Sequence, residues 1–220
     1  MRNRFDRKLT EMRTNILKMG DMVYDELQTA LTALETLDTD LASQVFEADN
    51  AVNQMRFLLE ENCTLLIVTQ QPAARDLRAI IAALSIVVDL ERMGDKAKSI
   101  AKNVPHIVKF PSRPQPAELK QMAGMAGKML RDCMTAYAQD DVDMARSVAA
   151  RDDEVDRLYG QIFKQIIGHL AGAENPDRIE ATYEVLRTAR DLERFGDYTT
   201  NIAERVIYAV TGTLTEVNTD

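Results

Sequence analysis

Asp89-Leu90-Glu91-Arg92-Met93-Gly94-Asp95 returns as Asp191-Leu192-Glu193-Arg194-Phe195-Gly196-Asp197, 102 residues further along, with six of seven positions identical. A duplication kept only for packing would preserve its apolar positions best. What repeats here is mostly charge. The chain is one unit written twice, and its carboxylates are in use.

The match extends outward from the heptapeptide. Leu41, Ala42 and Val45 correspond to Met144, Ala145 and Val148, and Asp49, Val52 and Asn53 correspond to Asp152, Val155 and Asp156, all 103 residues apart. Ile100-Ala101 answers Ile202-Ala203 at a spacing of 102. One residue is therefore missing from the second copy, and the loop around Ala171 to Asn175 is where such a deletion is tolerated.

Around the repeats, apolar residues recur at alternating steps of three and four, the seam of long bundle helices. Phe5, Leu9, Met12, Ile16, Met19, Val23, Leu27, Ala30, Leu34 and Leu37 predict the first helix. Asp38-Thr39-Asp40 supplies turn and N-cap chemistry, and a second helix runs on toward Thr69 and ends near Gln70-Gln71-Pro72. A third spans about Ala74 to Asn103, with Pro105 marking its end. After a proline-rich connector the order returns: a helix over Ala117–Tyr137, a turn at Asp140-Asp141, a helix to Leu170, a break at Gly172 to Pro176 and a last helix to Val210. Short loops make successive helices antiparallel. The expected fold is all-α, two tandem three-helix bundles running up-down-up. Residues 1–106 form the first, 107–116 the stiff connector, 117–212 the second, and 213–220 a frayed tail.

Composition sets limits. The chain is 45% hydrophobic and 28% charged, with no Trp and nine Gly, which favours helix over sheet. A net charge of -8 argues against a nucleic-acid surface, which needs clustered Lys and Arg. Cys63 and Cys133, each inside an amphipathic run, read as buried free thiols. The basic N-terminus is followed by no signal-type apolar segment, and no charge-free run approaches the ~20 residues that span a bilayer. The expectation is a soluble cytoplasmic protein that touches a membrane only through partners.

In the last helix Glu193 and Asp197 are four residues apart, which sets both carboxylates on one stripe. Like charges at that spacing destabilise a bare helix by roughly 0.2 to 0.5 kcal/mol, and a bound cation reverses the sign. Asp152 and Asp156 form a second pair on the adjacent antiparallel helix. If the stripes face each other, four carboxylates converge on a site suited to hard divalent or trivalent ions such as Mg²⁺, Mn²⁺ or Fe ions. The first-half equivalents are Asp49, Asn53, Glu91 and Asp95, and Asn53 leaves that site one charge short and a weaker binder. The competing reading is a solvated acidic surface.

Gly94 and Gly196, inside helices, call for a close neighbour: a facing backbone or a bridging metal cluster. Asp89 and Asp191, on the other side of the helix, are expected in solvent. Arg92 and Arg194 are expected to pair near the cluster, His106 and His169 have no acidic or Cys partners at ligand spacing, and the eleven Met fill core. There is no glycine-rich phosphate loop, Ser-His-Asp pattern, Cys-x-x-Cys or Glu-x-x-His pair, so an enzyme has little support.

Two three-helix halves, each with Asp-Leu-Glu-Arg-x-Gly-Asp and an upstream Asp-x-x-x-Asp or its variant, resemble the PhoU family of bacterial phosphate-signalling regulators over nearly the whole chain. The resemblance implies metal clusters bound by Glu91 and Asp95, Glu193 and Asp197, and Asp152 and Asp156, with Asp49 and Asn53 departing at one position. It also implies a cytoplasmic, often dimeric adaptor between the phosphate ABC transporter, through its ATPase subunit, and a sensor histidine kinase, keeping the phosphate-starvation response off when phosphate is ample. A carboxylate-bridged metalloenzyme or metal store, and acidic motifs with only structural or partner-binding roles, are the alternatives.

Overall fold

The structure, a computed structural model, describes residues 2–110 and 115–214, with side chains from residue 4 onward. The connector prolines Pro111 and Pro114 and the tail from residue 215 lie outside the described residues. Within them the chain is helical: α1 (Arg2–Thr36), α2 (Thr39–Gln70), α3 (Ala74–Ile107), α4 (Ala117–Gln139), α5 (Val142–Ala149), α6 (Asp152–Leu170) and α7 (Pro176–Thr211).

The two halves turn their first corner with the same device. Leu37 (φ 57°) and Asp140 (φ 54°) each take the left-handed conformation that reverses the chain. The next residue then caps the following helix. Asp38 accepts the backbone N–H of Asp40 and of Leu41 at 2.9 Å each, and Asp141 accepts that of Met144 at 2.9 Å. The 103-residue register therefore runs back into α1 and α4, where Ile16, Met19, Val23, Leu27, Ala30 and Ala33 are buried, as are Leu119, Met122, Ala126, Leu130, Cys133 and Ala136.

Two helix boundaries differ from the sequence reading. Pro105 does not end α3, which continues to Ile107. A proline this close to the C-terminus removes one N–H donor where few bonds remain to be lost. The middle helix of the second half is broken in two, α5 and α6, by Ala150 and Arg151. The break keeps register, since Val148 and Val155 are fully buried as Val45 and Val52 are. It gives α6 a first turn of Asp152, Asp153 and Glu154, where the exposed N–H groups and the helix dipole favour anions. At the far end α7 reaches Thr211 and is closed by Gly212 at φ 78°.

Helices α1, α2 and α3 pack as one bundle, and α4, α5/α6 and α7 as the other, which is the tandem three-helix architecture. The bundles join like on like. α3 lies along α7, the most extensive helix pairing in the molecule, and α1 crosses α4. At that crossing Gly20 admits Met134, whose Cε lies 2.8 Å from where a Cβ on Gly20 would be. One contiguous apolar core runs through both halves, while α2 and α6 lie on the flanks.

That arrangement overturns the expectation for Asp89 and Asp191. Both are buried, not solvated. The side of α3 and α7 opposite the Glu-x-x-x-Asp stripe is where the halves meet, so Asp89 pairs with Arg92 at 3.3 Å and Asp191 with Lys96 of the other half at 3.4 Å. Cys63 and Cys133 are buried free thiols, and burial raises both their pKa values. No helix among the described residues is long and apolar enough to cross a membrane.

Candidate metal centre

Each flank carries a carboxylate cluster where the middle helix of a half meets its last helix. In the second half Asp152 and Asp156 come from α6 and Glu193 and Asp197 from α7. Asp152 is buried at the α6 N-terminus, its Oδ1 3.1 Å from the point where a Cβ on Gly196 would lie. Val155 Cγ1 is 3.5 Å from the same point. Gly196 is thus kept open for side chains, not for a facing backbone.

Asp156, Glu193 and Asp197 share one electrostatic field. Burial and then Asp197 push the Glu193 carboxyl above its usual range, with Asp156 adding to the effect and Arg190 and Arg194 opposing it. Burial and then Asp197 likewise raise Asp156. Two arginines of α7 itself pair with these acids: Arg190 stands 3.4 Å from Glu193 and Arg194 3.3 Å from Asp197, and both arginine side chains are half exposed. These are weak, solvent-screened pairs. The four acids are neighbours, but among the described residues no three acidic, Cys or His side chains stand at the spacing of a formed metal site. The donor set, carboxylate oxygen throughout, still fits a hard cation. Asp152, Asp156, Glu193 and Asp197 are the residues that would hold it.

The first-half cluster has the expected Asp49, Glu91 and Asp95 but is organised differently. Asp49 is 1% exposed. Its Oδ2 accepts from Asn53 Nδ2 at 3.0 Å and from Lys98 Nζ at 2.5 Å. Glu91 is gripped by Arg56 of α2 at 2.8 Å, and that arginine also holds Glu60 at 3.0 Å. The carboxyl group that Asn53 lacks is supplied, as a buried acid, by a residue the sequence reading missed. Glu26 of α1 is 3% exposed, and neither of its carboxyl oxygens has a hydrogen-bond partner. Its Oε2 lies 3.0 Å, and Asp49 Oδ1 3.9 Å, from the point where a Cβ on Gly94 would sit. Burial, joined by Asp49 and Asp95 and opposed by Lys98, pushes the Glu26 carboxyl up to about 8. A signal existed in the sequence: Glu26 falls on the core stripe of α1, three residues after Val23 and four before Ala30.

His106 has an acidic partner that sequence spacing hid: Nδ1 is 2.6 Å from Glu180 Oε1 on α7, with Lys109 on the same carboxylate. A single acid does not make a metal site. Arg92 and Arg194 pair with Asp89 and Asp197 of their own helices.

A family model for the PhoU domain matches residues 16–104 and again 119–206, one match in each half. The phosphate-specific transport system accessory protein PhoU homolog of Pseudomonas putida is 38% identical over 210 residues, covering 95% of this chain and 81% of the relative. Among solved structures, PhoU from Pseudomonas aeruginosa superposes with a TM-score of 0.90 at 36% identity, covering 95% of this chain and 100% of that one. The phosphate transport system regulatory protein PhoU from Streptococcus pneumoniae superposes with a TM-score of 0.89 at 34% identity, covering 96% and 99%. With the fold, the doubled motif and nearly the full length in agreement, the chain belongs to the PhoU family.

Proposed function

We propose that the protein is a non-catalytic regulator of phosphate-specific transport that binds a hard metal ion, Fe, Mn or Mg, on its helical flanks. It works in the cytoplasm as a homodimer, linking the ATPase subunit of a phosphate ABC transporter to a sensor histidine kinase and holding the phosphate-starvation response off. The names of the relatives, accessory and regulatory proteins of phosphate transport, support the regulatory part.

The observation that carries the metal part is the crowding of Asp156, Glu193 and Asp197. Asp197 raises the electrostatic cost of ionising both Asp156 and Glu193, and Asp156 adds to the cost at Glu193. Half-buried like charges without matching fixed cations store repulsion that a bound M²⁺ relieves. Large apolar side chains left exposed, Phe57, Leu65 and Val68 on α2 and Phe163, Ile167 and Tyr183 on α6 and α7, support contact with protein partners.

Deleting the gene in a phosphate-replete host is expected to switch on phosphate-starvation genes in a transcriptional reporter assay, and unchanged expression removes the regulatory reading. For the metal part, elemental analysis of protein purified without added metal is compared with Glu193→Gln/Asp197→Asn. Equal metal content in the two proteins refutes a site at these residues.

A further inference from the structure

The two carboxylate clusters occupy equivalent places in a duplicated fold, so their differences can be compared residue by residue. At the 103-residue offset Asp49 answers Asp152, Asn53 answers Asp156 and Glu26 answers Met129, which is fully buried in apolar core. At the 102-residue offset Glu91 and Asp95 answer Glu193 and Asp197, and Lys98 answers Thr200. Each cluster therefore has four carboxyl groups, and where the first has Lys98 the second has Thr200.

Lys98 sits where a cation belongs. Its ammonium is 2.5 Å from the buried Asp49 and close enough to Asp95 and Glu26 for both carboxyl groups to favour its charged form. Glu26, almost wholly buried and without a hydrogen-bond partner, turns its carboxyl into the same space beside Gly94. Arg56, from a different helix, occupies Glu91. In the second half the position of Lys98 is taken by Thr200, whose buried hydroxyl has no partner, and the nearby arginines are half exposed on the helix of their own acids.

We propose that Lys98 is an internal counter-ion that closes the first-half cluster, so that a hard divalent cation binds the second half alone. The inference rests on the metal reading above and adds which half is occupied and why. A metal entering the first half must displace an ammonium that is hydrogen-bonded to the buried Asp49, and so must break a part-buried ion pair before it can bind. In the second half it has only to turn aside half-exposed arginines in solvent-screened pairs. The duplicated site has thus been split into a half that takes metal and a half whose cation is covalently its own.

The test is Mn²⁺ titration of the full chain, with free Mn²⁺ followed by electron paramagnetic resonance. Wild type is expected to bind in one class of sites that Glu193→Gln/Asp197→Asn removes and Asp49→Asn leaves intact. Lys98→Thr is expected to add a second class, roughly doubling the Mn²⁺ bound at saturation, and Asp49→Asn in that background removes the gain. Thr200→Lys, made on the opposite flank, is expected to abolish binding and stands as the test if Lys98→Thr does not fold. Binding in both halves of wild type, no gain in folded Lys98→Thr, or undiminished binding in Thr200→Lys overturns the inference while leaving the metal reading in place. A wild type that binds no Mn²⁺ sinks the metal reading, and this inference with it.

Discussion

Glu26 Oε2 and Gly94 stand against each other so closely that a methyl group on Gly94 would lie 3.0 Å from that oxygen. Gly94→Ala gains about 0.5 to 1 kcal/mol in helix propensity. It also forces a buried side chain aside in a filled core, at about 1 to 3 kcal/mol. The second effect is larger, so the variant is expected to be less stable than wild type by about 1 kcal/mol. Gly160→Ala is the control: nothing lies within 4 Å of its Cβ position, and only the propensity gain remains. Urea midpoints of the two variants should move in opposite directions.

Glu26 also gives stability a pH dependence. Its carboxyl titrates near 8 in the folded protein against 4.5 for the free group, so between those values the folded state holds a proton that the unfolded state has released. The contribution of Glu26 is therefore fully present below the lower value and is lost as pH rises through the upper one, by up to ~1.4 kcal/mol per pH unit. Glu26→Gln keeps the neutral shape and abolishes the slope. It should be more stable than wild type at about pH 8, and a urea midpoint for wild type that does not fall between about pH 5 and about pH 8 contradicts the burial argument.

In the second half the same physics acts on metal affinity. Asp156 and Glu193 are held above their usual carboxylate values by burial and by Asp197, and a metal binds only their ionised forms. Mn²⁺ affinity should rise with pH across the acid range, and proton uptake by the buffer on Mn²⁺ addition, measured by calorimetry in buffers of different ionisation enthalpy, should be larger at low pH than at neutral pH.

The corner caps are testable without any metal. Asp38 satisfies two orphan N–H groups at the start of α2 and Asp141 one at the start of α5. Asp38→Ala is expected to cost ~1 kcal/mol, read by thermal unfolding under circular dichroism, and Asp38→Ser should restore much of the loss.

The helices, the turns and the tandem architecture were legible in the sequence because three-and-four spacing and cap residues are local signals. The flank acids were legible because they repeat. What stayed hidden was set by contacts between distant segments. Asp89 and Asp191 read as solvated because angular position on one helix says nothing about a second helix arriving from the other half. Glu26 was overlooked since it lies outside the repeated motif and its second-half counterpart, Met129, is an ordinary core residue. Nothing local singles out Lys98, whose role depends on α2 lying beside α3 with Asp49 buried under it. The break between Ala149 and Asp152 escaped notice because the apolar register continues across it unchanged.

The seven-residue repeat faces two ways. Glu91 and Asp95, like Glu193 and Asp197, point outward to the flanks, while Asp89 and Asp191 are fixed in the seam between α3 and α7 by Arg92 and by Lys96. A rotation of either rod that brings its outer acids nearer an ion must turn its inner aspartate within the seam. The outer acids and the inner aspartate of each rod are therefore rigidly coupled, and neither face can turn without the other.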